Sequence, residues 1–176
     1  MQDTHIQLTK IDGKQILIPG GRIMTLEAVS EKAAETLSEA KTWIWIRGLN
    51  NAGFSNLWVK DTIGEVMQKL NAIIPTKPIY LTSVLDTSPE GLCDTYSTYL
   101  LDSSIVDNVE EITVDNNVSL TNITLNMETE HLENPTQNIR SLQVLNTLQE
   151  IMSQTSMEPS EITLPIQENA QIEIME

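Results

Sequence analysis

The chain has 176 residues, a formal net charge of −15, 4% aromatic residues and one cysteine, Cys93. That length holds one domain or two small ones. A single cysteine excludes an internal disulfide framework and a cysteine-based zinc site, and no apolar run is long enough to span a bilayer. The N-terminus, MQDTHIQLTK, lacks a basic region followed by a hydrophobic one, so no standard secretion signal is expected.

In chain order, Ile6–Lys10 alternates apolar and polar residues, Asp12-Gly13 is a hairpin turn signal, and Gln15–Ile18 returns. Pro19-Gly20-Gly21 breaks the strand, and Arg22–Leu26 reads as a third. Ala28–Lys41 is rich in helix formers but its apolar content is mostly alanine, which fits a short exposed helix or a mobile loop. In TWIWIRG, Ile44 and Ile46 fall on one face of a strand and Trp43, Trp45 and Arg47 on the other. NLWVK continues the pattern, with Leu57 and Val59 opposite Trp58 and Lys60. Thr62-Ile-Gly-Glu65 has capping-box spacing, and Ile63, Val66, Met67, Leu70 and Ile74 follow at helical spacing until Pro75. The aliphatic face of the hairpin is expected to pack on this helix. The three tryptophans then need a second cover, either the protein's own second half or a partner.

These residues carry a resemblance. Ile6, Leu8, Thr9, Asp12 and Gly13, followed by Val59, Lys60, Thr62, Glu65 and Val66, resemble the small FlbD-like modules of flagellar operons. They resemble similar modules in virion proteins of tailed phages as well, and the general look of the chain is similar to the crAss-like group. The likeness covers residues 6–71 and departs from the pattern at Asp61 and in extra residues between the third and fourth strands. It implies a β-rich module that assembles with other chains and carries over no catalytic residue.

Beyond Pro75-Thr-Lys-Pro78, a linker signal, the composition shifts to Thr, Ser, Asn and Asp. Ile79–Val84, Thr95–Leu100 and Ile112–Val114 read as strands. Val118–Leu125 is another, with a break in alternation between Leu120 and Ile123 that suggests a bulge. Asn134-Pro135 reads as a helix entry, and Ile139, Leu142, Leu145, Leu148, Ile151 and Met152 as one helical stripe. The second half then repeats the strands-then-helix plan of the first, although the strands do not align by residue. In the tail, Pro159 and Pro165 forbid a continuous helix, while Ile162, Leu164, Ile166, Ile172 and Ile174 alternate with polar residues. Such a segment can lie on its own domain or add to a neighbour's sheet edge.

Charge is divided unevenly: residues 1–80 hold nine Lys/Arg and eight Asp/Glu, whereas Arg140 alone faces seventeen acids in 81–176. This sign disfavours direct nucleic-acid binding. His5 and His131 have no ligand-spaced partner, and Cys93 has no nearby His or Lys to form a thiolate. Asp102, Asp107, Glu110, Glu111 and Asp115 lack the order of a calcium loop, and Gly20-Gly21 lacks the rest of a phosphate loop.

The expected fold class is α+β. It comprises two small β-rich units (barrel or sheet), 1–74 and 79–154, each followed by a packing helix, joined by linker 75–78 and extended by a C-terminal arm, 155–176. The expected function is non-enzymatic, with no cofactor, metal or membrane. With the resemblance added, the chain is expected to be a structural component of a tailed-phage virion, assembled in the host cytoplasm and contacting other virion proteins or copies of itself through Trp43, Trp45, Trp58, Ile162, Leu164, Ile166, Ile172 and Ile174. Two rivals are an acidic DNA mimic that inhibits a nucleic-acid-binding protein, distinguished by strongly salt-sensitive binding to a basic enzyme, and a small calcium-supported hydrolase, distinguished by calcium-dependent stability and turnover.

Overall fold

The computed structural model describes residues 4–30, 35, 39–47, 54–74, 77–87, 92–114, 117–126, 139–155 and 169–173. The chain opens with a hairpin, β1 (His5–Thr9) and β2 (Gln15–Pro19). Gly13 turns it at φ +86°, a conformation that disfavours a side chain. The Asp12 carboxylate accepts from the Lys14 backbone N–H at 2.9 Å, and that bond lowers its pKa. A 3-10 turn, Gly20–Arg22, leads into β3 (Ile23–Ala28), followed by β4 (Thr42–Arg47) and β5 (Phe54–Val59). Helix α1 (Ile63–Asn71) starts with both bonds of the capping box, Thr62 accepting from the Glu65 N–H and Glu65 from the Thr62 N–H. Ile44 and Ile46 share a core cluster with Ile63, Val66, Met67 and Leu70 of α1, so the aliphatic face of β4 lies under the helix.

The second half begins with the long hairpin β6 (Ile79–Thr87) and β7 (Leu92–Leu100) and a 3-10 turn, Ser103–Ile105. Strands β8 (Val106–Val114), β9 (Val118–Asn126) and β10 (Ile139–Val144), helix α2 (Leu148–Thr155) and β11 (Asn169–Glu173) follow. The result is β-rich, with two sheets and two helices among the described residues. β1 and β2 form the smaller sheet, and the larger runs β5-β4-β3-β7-β6-β10-β9-β8, with β11 added to β7. The junction of the two halves is β3 against β7, where Thr25, Leu26 and Glu27 pair with Leu100, Tyr99 and Thr98. A second core cluster, including Leu81, Leu100, Ile123, Leu142 and Ile151, takes in Met24 from the first half.

Two expectations are corrected. Residues 139–144 are a strand, not the start of a helix, and only 148–155 are helical. Ile139 and Met152 are exposed, so the apparent stripe is a chance superposition of a two-residue and a 3.6-residue period. The bulge near Leu120 is absent too: β9 runs in unbroken register against β10 over 121–126, and the bulge lies on β8, between Val106 and Asn108. The alternation breaks because β9 serves two cores. Val118 and Leu120 cluster with Cys93, whereas Ile123 and Leu125 belong to the cluster under α2. The helix entry at Asn134-Pro135 and residues 31–34 and 36–38 of the helix-or-loop segment 28–41 lie outside the described residues, while Ala28 ends β3.

The hydrogen bonds make an internal repeat explicit. Residues 56–70 and 141–155 superpose in sequence as Leu57/Leu142, Val59/Val144, Thr62/Thr147, Glu65/Glu150 and Met67/Met152. Ile6-Gln-Leu-Thr9 matches Ile79-Tyr-Leu-Thr82. In the first half the Asp61 carboxylate accepts from the Thr9 N–H at 2.7 Å, and in the second the Asn146 side-chain oxygen accepts from the Thr82 N–H at 2.7 Å. Thr42 Oγ1 donates to the Asp61 carbonyl at 2.7 Å, and Thr121 Oγ1 to the Asn146 carbonyl at 2.6 Å. Lys69 Nζ reaches the Gln7 carbonyl at 2.8 Å, and Gln154 Nε2 the Tyr80 carbonyl at 2.9 Å. Val59 bridges Lys10 as Val144 bridges Ser83. The bulge between Ile23 and Thr25 returns between Val106 and Asn108, and each bulged strand follows a 3-10 turn. Thr147 and Glu150 also reproduce the capping box, at 3.1 and 3.3 Å. Residues 5–71 and 79–155 are therefore two versions of one ββ–turn–βββα unit.

Candidate interaction surface

Strand alternation puts Trp43 and Trp45 on the side of β4 away from α1, and antiparallel register sets Trp58 of β5 directly opposite Trp43. The Trp43 and Trp58 rings stack at 4.5 Å and 3°, and Trp45 tilts against Trp43 at 4.8 Å. All three are partly buried. Cover comes from the second half. Arg140 of β10 lays its guanidinium over the Trp43 and Trp45 rings at 4.8 and 5.0 Å. Its two terminal nitrogens donate to both carboxylate oxygens of Glu27, with Nη2 to Oε1 at 2.6 Å. Glu27 is 2% exposed, so this bidentate pair is shielded from water where charge-assisted bonds are strong.

Tyr96 closes the cluster, hydrogen-bonded to Glu27 and Ser83. Burial first, then the adjacent Glu27 charge, push its phenol from an ordinary 10.0 up to about 12. A group whose pKa rises on folding contributes stability that is complete below its unfolded value and lost as pH climbs through the folded one. The protein should therefore lose stability between pH 10 and about 12. Tyr96→Phe should flatten that slope in urea titrations at stepped pH, on top of a pH-independent loss from the hydroxyl's missing bond to buried Glu27. Equal slopes in both proteins would show that Tyr96 does not titrate this way.

The structure thus brings Trp43, Trp45 and Trp58 together, as the alternation predicts. Arg140, Glu27 and Tyr96 were missed as part of this cluster. Their one sequence signal was that Arg140 is the only basic residue after position 80. Of the tail residues, Ile172 lies on β11, paired in register with Cys93 of β7, so this part of the tail adds to the chain's own sheet. Ile162, Leu164, Ile166 and Ile174 lie outside the described residues.

Sheet edges complete the surface. β5 and β8 end the large sheet, and β2 has β1 as its strand neighbour among the described residues. Asp107, Glu110 and Glu111 stand exposed along β8, a charged edge of the kind that resists indiscriminate pairing. β2 is uncharged and presents Leu17 at 63% exposure.

Other candidates take structural places. His5 is exposed, with Nδ1 3.4 Å from Thr4 Oγ1, and Cys93 is fully buried in a small apolar cluster. Asp102 caps the 3-10 turn through the Ser104 N–H at 3.0 Å and pairs with Arg47. His131 and Asp115 fall outside the described residues. Among the described residues no three His, Cys, Asp or Glu side chains gather as metal ligands, and no helix is long and apolar enough to cross a membrane. Comparison with protein-family models, with curated proteins and with solved structures finds no match.

Proposed function

We propose that this chain is a non-enzymatic structural protein of a tailed-phage virion, a capsid-auxiliary or head–tail component that acts through protein–protein contacts. In this reading two small β-rich units, each closed by a helix, form the body, and the C-terminal arm reaches neighbouring subunits after assembly in the host cytoplasm. The observation that carries it is the Trp43–Arg140–Glu27 cluster, which holds one unit against the other across β3 and β7. Stacked aromatics, a planar guanidinium and a desolvated carboxylate are the groups that supply most energy in protein interfaces. Beside this internal joint, the edges of β2 and β8 have no further strand neighbour among the described residues, which suits a particle built from many strand contacts. The resemblance of residues 6–71 to phage virion modules supplies the setting. The test is mass spectrometry of gradient-purified particles of the phage that encodes the chain. Recovery at a fixed copy number is expected; a chain confined to the soluble fraction of infected cells would contradict the proposal.

A further inference from the structure

The repeat has a consequence for how chains meet. Inside the chain the first unit offers the edge of β3 and the second accepts it along β7. The counterpart of β3 is β8, with Met24, Thr25, Leu26 and Glu27 matched by Asp107, Asn108, Val109 and Glu110. The counterpart of β7 is β2: Ile6 pairs with Ile18 as Ile79 pairs with Leu100, which matches Leu17 to Tyr99. Among the described residues each chain has therefore joined one offering edge to one accepting edge and kept one of each.

The side chains at these kept edges fit that arrangement. Leu17 is 63% exposed where Tyr99 is 1% exposed, and Met152 is 69% exposed where its counterpart Met67 is 1% exposed. Tyr99 and Met67 lie in the same core cluster, on either side of the internal junction. An exposed leucine on one edge and an exposed methionine beside the other edge are thus the two halves of a contact already made once.

The charges fit as well. Tyr96 bonds to Glu27 across the internal junction. At the matching positions stand Lys14 and Glu110, both exposed. Met24 and Ile105 share a buried cluster, and their matches are Asp107 and Arg22. At both places the kept β8 edge has an acid where a base flanks the kept β2 edge, Lys14 just before the strand and Arg22 in the 3-10 turn after it. The tryptophans, by contrast, are matched by Asn122, Thr124 and Gln143. A junction between chains is accordingly more polar than the internal one, weaker, and sensitive to salt.

We propose that the protein associates with itself head to tail, β8 of one copy adding antiparallel to β2 of the next in the register of β3 on β7, with Glu110 opposite Ile16 and diagonal to Lys14, as Glu27 is to Tyr96, and Leu17 entering beside Met152. Such a heterologous contact closes into a ring or extends as a filament. This inference rests on the reading of the chain as a contact module and names one of its partners as a second copy.

Analytical ultracentrifugation of the full chain tests it. Association should rise with concentration and weaken in high salt. Glu110→Lys and Lys14→Glu each set like charges diagonally across the junction, and each should weaken association about tenfold or more. Both positions are exposed, so urea midpoints should stay near that of the parent. Mixing the two variants in equal amounts should restore association, because every junction in an alternating assembly then pairs opposite charges. A parent chain that is monomeric throughout, variants that associate like the parent, or a mixture no better than its components would each overturn the proposal. A monomeric chain that is still incorporated into particles would overturn this inference and leave the virion role standing.

Discussion

Replacing Arg140 with alanine is expected to destabilise the protein by about 3–5 kcal/mol, the cost of leaving one member of a buried ion pair without the other. Glu27 is 2% exposed and gives both carboxylate oxygens to Arg140, so its charge would remain in a dry site beside the Tyr96 hydroxyl. The same change removes the cation lying over Trp43 and Trp45, worth about 0.5–2 kcal/mol. Urea denaturation followed by tryptophan fluorescence reads both effects, as a lower midpoint and as red-shifted emission before unfolding. Replacing both partners, Arg140→Met with Glu27→Leu, should recover much of the loss, since apolar groups of similar size need no counter-charge. A loss below about 1 kcal/mol for Arg140→Ala would place the pair in the class of exposed salt bridges and remove it as the clasp between units.

Asp61→Ala is the second large effect, expected to cost about 2–3 kcal/mol. The Asp61 carboxylate is the acceptor for the Thr9 N–H at 2.7 Å and for Lys69 Nζ at 3.0 Å, and it is 8% exposed. It ties the first hairpin to the start of α1, and alanine leaves the donors without it. Asp61→Asn should cost about 1 kcal/mol or less, because the second unit uses Asn146 for the same bond to Thr82 at the same 2.7 Å. Thermal or urea unfolding of the two variants decides the matter. Equal losses for Ala and Asn would show that charge, and not the hydrogen bond to the first strand, governs this corner.

Much of the first unit was legible because its signals are local. The Asp12-Gly13 turn, the Ile44/Trp43 alternation and the Thr62–Glu65 cap each act within a few residues, and each appears as read. The second unit misled where local signals conflicted. Leu142 and Val144 alternate as in a strand, yet Leu142 with Leu145 and Leu148 also marks a helical stripe. Thr147-Leu-Gln-Glu150, the same capping signal as Thr62-Ile-Gly-Glu65, would have fixed the helix start. Part of the repeat hid because several of its matches are side-chain-to-backbone hydrogen bonds made by different residue types. Asp61 and Asn146 differ in sequence while doing one job, as do Lys69 and Gln154. The cover for the tryptophans was unreadable for another reason: Arg140 meets Glu27 from 113 residues away, and no periodicity encodes a contact of that range.

Two equivalent units meet through strand edges, β3 on β7, and in the proposed assembly β8 and β2 meet in the same way between chains. Residue-resolved amide hydrogen exchange on the intact chain, at low and high protein concentration, separates the two junctions. Amides of β3 and β7 at the internal junction should be protected at both concentrations, while the outward amides of β2 and β8 should exchange fast when dilute and slow together when concentrated. Fast exchange at the internal junction, or β2 and β8 amides indifferent to concentration, would contradict this arrangement.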